Sequence, residues 1–275
     1  TYLPRGAFEK ILPKNPILAI FASGLLGAIF PVCECAVVPV IRRLVKNGLP
    51  ASCALAYMLA APIFNPVTAI STYKAFGDSI PVTFSRLAMG YMIAVIIALI
   101  VSRIAHELFL KPSMTSGDDH QHQHPRNIKS ALNNSLRDLM DVGLYFTIGV
   151  VLTALLKTTV IDPTSEFWQN LANNSLLGSA GMMVLAFVLS LCSTSDAFIA
   201  ANFANFRYGP KLAFMVFGPM IDAKLIFLYS TVFRWKFIVF LVIAIFILTG
   251  AFAMLFEIKI LPIWTDQQST IPLPS

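Results

Sequence analysis

The sequence predicts an all-α integral membrane protein built from two structural repeats, and three observations carry that reading. The 275 residues are 57% hydrophobic and 12% charged, with a mean hydropathy of +0.74, well outside the range of soluble domains. Apolar runs close to the roughly 20 residues needed to cross a bilayer recur along the chain. Finally, LAYMLAAPIFNP lies over LAFMVFGPMIDA at an offset of 157 residues, so Cys35, Pro62 and Asn65 match Cys192, Pro219 and Asp222. Matched segments of this kind signal duplication, and in transporters helix breaks at corresponding positions mark the substrate site.

The first repeat spans 1–102. It holds a short apolar run at 17–32 that leads into Cys33, Glu34 and Cys35, followed by longer runs at 51–76 and 84–102. Pro31 and Pro39 flank the Cys-Glu-Cys tripeptide, and a proline removes an amide donor, so the segment from 17 to 47 is expected to break near its middle. A polar linker at 103–138 follows. The second repeat, 139–256, has runs at 139–156, 176–192, 212–233 and 237–256, with a tail at 257–275. Ser193, Thr194, Ser195 and Asp196 follow Cys192, and such side chains compete for backbone hydrogen bonds, so a second break is expected there. Pro62 and Pro219 predict two more breaks, three residues before Asn65 and Asp222. The 157-residue offset places the counterpart of the 139–156 helix before Thr1, so about seven membrane segments are expected here and eight in the intact protein.

Charge then bears on topology and excludes nucleic acid as a partner. The net charge of +6 comes from 20 basic and 14 acidic residues, and the basic ones lie mostly in short loops, as membrane insertion dictates. If the cysteine-bearing segments cross, the two sides carry 11 and 8 loop Lys and Arg, leaving out Lys224. If they turn back as re-entrant hairpins, the division is 13 against 6, with Arg5, Arg42, Arg43, Lys46, Arg103 and Arg126 among the larger set. The stronger bias favours hairpins, inverted repeats, and that larger set on the cytoplasmic side of the cell membrane.

Several residues carry candidate chemistry. Cys33 and Cys35 on a non-helical turn can face one soft ion or electrophile, because thiolates prefer soft metals and metalloids. Cys192 occupies the matching place in the second repeat, and Cys53 reads as a packing residue. Glu34, Asp196, Asp222 and Lys224 lie in or beside apolar stretches, where ionisable groups are costly and mark function by default. Glu34, Asp196 and Lys224 are candidates for proton coupling or ion binding, while Asp222 and Lys224 also suit simple mutual neutralisation. Asn65 and Asp222 follow prolines that free backbone groups, so their side chains either bind substrate or repair the helix. In the linker, His120, His122 and His124 alternate beside Asp118 and Asp119, a composition suited to a zinc-like divalent ion.

PVCECAVVPVIRRLVKNGLP, MLAAPIFNPVTAISTYKAFG, LCSTSDAFIAANFA and AFMVFGPMIDAKL together resemble the permeases of the YraQ and YcgR type, related to the organoarsenical efflux permeases. The resemblance runs from about residue 24 to 248, linker excluded. It implies a polytopic permease of about eight membrane segments, with Cys33 and Cys35 in the thiol-bearing region and a second membrane subunit as a partner. Ala36 stands where many family members have glycine, which restricts the backbone at that turn.

The expected function is secondary transport of a thiol-reactive metalloid, an organoarsenical, or a soft or divalent metal ion. Its partners are that small inorganic or organometalloid substrate and membrane lipid, and no cofactor is expected. No Gly-x4-Gly-Lys-Ser/Thr phosphate loop is present in the sequence. Two other readings compete. One is a scaffold subunit without flux of its own. The other is a thiol oxidoreductase, disfavoured because a Cys-x-Cys disulfide closes a strained ring.

Overall fold

A computed structural model describes residues 13, 15–29, 32, 34–46, 48–103, 174–203 and 206–260, without the side chains of residues 35, 43, 46, 259 and 260. Among them the elements are helical. The N-terminal part has α1 (Pro16–Ile29), α2 (Glu34–Lys46), α3 (Ala51–Ala60), α4 (Pro66–Ala75) and α5 (Ile80–Arg103). The C-terminal part has α6 (Ser175–Leu189), α7 (Asp196–Asn202), α8 (Tyr208–Met220), α9 (Ala223–Tyr229) and α10 (Trp235–Leu255), closed by a π-helical turn at Phe256–Ile260. Among the described residues, three stretches are long and apolar enough to cross a membrane: Ile80–Arg103, Tyr208–Tyr229 and Trp235–Ile258. The run at 139–156, the linker from 104 onward and residues 261–275 lie outside the described residues.

The helices begin where local chemistry dictates. Asn65 has extended backbone, its Oδ1 accepts from Val67 N at 2.9 Å, and Pro66 occupies the first helical position, where a missing amide hydrogen costs nothing. Asp222 does the same for α9, accepting from Leu225 N at 2.7 Å. Helix starts at Ala51 and Tyr208, and again at Pro66 and Ala223, are each separated by 157 residues. Pro62 lies in the turn between α3 and α4, and Pro219 stands one residue before α8 ends at Met220.

Pro39 is not where the segment breaks. It sits inside α2, which continues to Lys46, and the interruption, between Ile29 and Glu34, falls near the middle of the 17–47 segment. A proline inside a helix removes one i→i−4 bond without having to end the helix: Pro39 stands sixth of the 13 residues of α2, and the helix continues through it. Pro31 lies outside the described residues.

Packing encloses the breaks. Every residue of α3 is buried, as are most of α8. Helix α1 packs on α3 and α5, while α6 packs on α8 and α10. Contacts then cross between the two parts, with α7 against α4 and α2 against α9. The turn after α3 is held closely by glycines. A Cβ on Gly27 would stand 2.7 Å from Ala61 Cα, and one on Gly90 would stand 2.5 Å from Ile63 Cγ2. Both positions require the absence of a side chain.

Candidate functional site

The contacts between the two parts bring the buried charges together. Arg86, fully buried on α5, donates through Nη2 to both carboxylate oxygens of Asp196 at 2.8 Å and to Ser193 O at 2.8 Å. Its Nη1 donates to Thr72 Oγ1 at 2.6 Å. Thr72 in turn donates to Thr68 O, and Thr68 donates to Pro62 O at 3.0 Å. Hydroxyls thus link the Pro62 turn of one part to the 190–195 bend of the other. Ser71 Oγ adds a second tie by donating to Thr194 O. Buried polar groups demand partners, and this chain supplies nearly all of them. Within this first cluster, among the described residues, Arg86 Nε is left without a partner.

A second cluster lies around Glu34, at the start of α2. Lys224 Nζ lies 3.3 Å from Glu34 Oε1 and 3.2 Å from Asp222 Oδ2, and donates to Ser190 O at 3.0 Å. Ser193 Oγ lies 3.5 Å from Glu34 Oε2, and Cys192 Sγ lies 4.0 Å from the same oxygen. Thr194 Oγ1 is 3.6 Å from Cys192 Sγ. Asp222 Oδ2 takes no aligned hydrogen bond, although it faces the ammonium. Glu34, Asp196 and Asp222 are all buried, as are Arg86 and Lys224. Among the described residues this buried set has three carboxylates and two cations, an excess of one negative charge where charge is expensive to hold.

Of the residues singled out in the sequence, Glu34, Cys192, Asp222 and Lys224 meet, and Asp196 is placed beside them but gripped by Arg86. Neutralisation of Asp222 by Lys224 is present, and Lys224 serves Glu34 as well. Asn65 is mostly buried and caps α4. Cys53 is buried in α3. Cys33, the Cys35 side chain, His120, His122 and His124 lie outside the described residues. Among the described residues, no three His, Cys, Asp or Glu side chains group closely enough to hold a metal ion.

Arg86 is the residue that sequence reasoning missed. It lies near the start of the 84–102 apolar run, where the topology reading treats it as a loop charge. The available signal was the rule that an ionisable group inside an apolar run is functional until shown otherwise.

Comparisons with known proteins point to a family of permeases. The ArsP_1 family, described as "Predicted permease", matches residues 1–258. The chain is 37% identical over 259 residues to "UPF0718 protein YcgR" of Bacillus subtilis (strain 168), covering 91% of this chain and 86% of that protein. It is 34% identical over 241 residues to "Putative two-component membrane permease complex subunit" of Streptococcus mutans, covering 86% of this chain and 79% of that protein. No solved structure matches it significantly. With a family match over nearly its whole length and apolar helices of spanning length, the chain is a multi-pass membrane protein that belongs to the predicted permease family.

Proposed function

We propose that the protein is a secondary transporter that moves a thiol-reactive metalloid or a soft or divalent metal ion, with Cys33, Cys35 and Cys192 as sulfur ligands. The observation that carries this reading is the approach of Cys192 Sγ to Glu34 Oε2 at 4.0 Å. Cys33 and Cys35 are the sequence neighbours of Glu34, so the contact draws the two cysteine-bearing breaks toward one place. Sulfur and carboxylate together suit soft and borderline cations.

The two parts act as inverted repeats, 1–102 and 139–256, with the site between them. The shared 157-residue spacing of helix starts supports duplication, as do the reciprocal contacts of α7 with α4 and α2 with α9. Helices α2 and α7, with 13 and 7 residues, rise only about 20 Å and about 10 Å. Each is too short to cross alone, which suits re-entrant segments lining a cavity. Glu34 and Lys224 are the groups through which substrate movement is coupled to an ion gradient, while Asp196, gripped by Arg86, holds the bend beside them. Asn65 and Asp222 shape the site chiefly by capping the helices that begin there.

The name of the Streptococcus mutans relative supports a second element of this reading, a partner subunit in the membrane. In that arrangement the chain works in a two-component permease, and flux requires both subunits.

The test is flux in vesicles against zinc, copper, arsenite and a trivalent methylarsenical, comparing wild type with Cys35→Ser and Cys192→Ser. Flux of at least one of these, lost in both variants, is expected. The absence of flux for all four, with and without a co-expressed second subunit, sinks the proposal.

A further inference from the structure

Two buried cations bridge the N-terminal and C-terminal parts, and they bind differently. Arg86 holds Asp196 by both carboxylate oxygens at 2.8 Å, within the range of a strong charge-assisted contact. Its planar guanidinium is also braced by Ser193 O and Thr72 Oγ1. Lys224 instead divides one charge between Glu34 and Asp222, at 3.3 and 3.2 Å, longer than the roughly 2.7–2.9 Å of good ammonium-carboxylate bonds. A lysine ammonium is a compact point charge on a flexible stem, whereas the arginine fork is fixed in shape.

The donors around Nζ are those a metal cation would use. Glu34 supplies a carboxylate from α2, Asp222 supplies an Oδ2 with no aligned hydrogen bond, Cys192 supplies sulfur, and Ser193 supplies a hydroxyl. These come from both parts of the chain and are buried or partly buried. The carboxylates are spaced around the ammonium, in keeping with the lack of a ready metal grouping among the described residues. The site is charge-filled, and its filling is tethered.

We propose that the Lys224 ammonium is a resident cation holding the place of a transported cation between Glu34 and Asp222, and that a divalent or soft metal cation enters by displacing it. This inference rests on the permease reading and narrows its substrate class from metalloids in general to metal cations. Charge accounting favours it. The described buried set carries one surplus negative charge, so an incoming cation is attracted even while Lys224 stays nearby. A neutral arsenical gains nothing from the two carboxylates and leaves the ammonium where it is. The stem of Lys224 lets Nζ withdraw toward Ser190 O, which it already touches at 3.0 Å. Arg86 and Asp196 stay paired throughout and keep the bend at 190–195 in place.

The experiment is equilibrium binding to the purified full-length chain, with cadmium ion as the cation probe and a trivalent phenylarsenical as the neutral thiol probe. Affinity for cadmium, normalised to that for the arsenical, rises about tenfold or more in Lys224→Met, because the internal competitor is gone. It falls about tenfold or more in Lys224→Arg, whose fork grips both carboxylates. Should Lys224→Met fail to fold, the charge-preserving Lys224→Arg decides by itself. A ratio unchanged in Lys224→Arg, a ratio lowered in Lys224→Met, or no cadmium binding by wild type overturns the proposal. Flux that depends on Cys35 with a ratio indifferent to Lys224 defeats this inference alone. A ratio that shifts as expected in a protein without flux defeats the permease reading alone.

Discussion

Arg86 and Lys224 cross between the same two parts of the chain, yet one is built as a clamp and the other as an exchangeable contact. Arg86 sits in a buried setting in which every contact to its terminal nitrogens is 2.8 Å or shorter. Lys224 has acids on two sides and a thiol nearby, with longer approaches to each acid. A transporter needs both kinds of contact. Something must hold the helix breaks in register while something else gives way to substrate, and buried ion pairs serve specificity better than stability.

The largest effect that sharpens this contrast is expected at the clamp. Arg86→Met strands Asp196 and costs about 3–5 kcal/mol, read as a fall in melting temperature or loss of monodisperse protein. Replacing both partners, Arg86→Met with Asp196→Leu, recovers most of that loss, because no buried charge is then left unpaired. Lys224→Met costs less, about 1.5–3 kcal/mol, in the same assay. Equal losses at the two cations would erase the distinction between clamp and exchangeable contact.

The helix breaks differ in a similar way. Gly27 faces the Ala61 backbone, which cannot swing aside, so Gly27→Ala overpacks the first break and costs about 1–3 kcal/mol. Gly218 near the second break meets Ala186 Cβ at an ordinary 3.4 Å, and Gly218→Ala is expected to cost less than Gly27→Ala, within about 1 kcal/mol of neutral, because helix propensity is offset by the contact of the new Cβ with the ring of Pro219. A modest effect is expected at the caps. Asn65→Ala loses about 1 kcal/mol, whereas Asp222→Asn keeps its acceptor for Leu225 N and leaves capping intact. A shift in cadmium binding in Asp222→Asn without a matching fall in melting temperature separates its charge from its cap.

Much of this was legible in the sequence because membrane burial writes itself into composition. Apolar runs locate the helices, and Pro62 and Pro219 mark the neighbourhood of the two breaks beyond which Asn65 and Asp222 cap new helices. The choice between substrate binding and helix repair at those residues was open, since one side-chain oxygen can do either; the structure assigns Oδ1 of each to its cap. Pro39 misled because a proline removes one hydrogen bond without always ending a helix, and α2 continues through it. Arg86 was hidden because pairing across 110 residues with Asp196 has no local signature. Nothing in the sequence alone indicates that Lys224 divides itself between Asp222, two residues away, and Glu34 in the other part of the chain.

The central claim is that the two cysteine-bearing breaks face one another across the interface between the parts. Cleavage at a protease site placed in the 103–138 linker, after treatment of a Cys53→Ala chain with dibromobimane, tests this most directly. The account predicts that the two fragments stay covalently joined and that Cys192→Ser abolishes the joining. Fragments that separate, although a monothiol reagent labels cysteines in each, would contradict it.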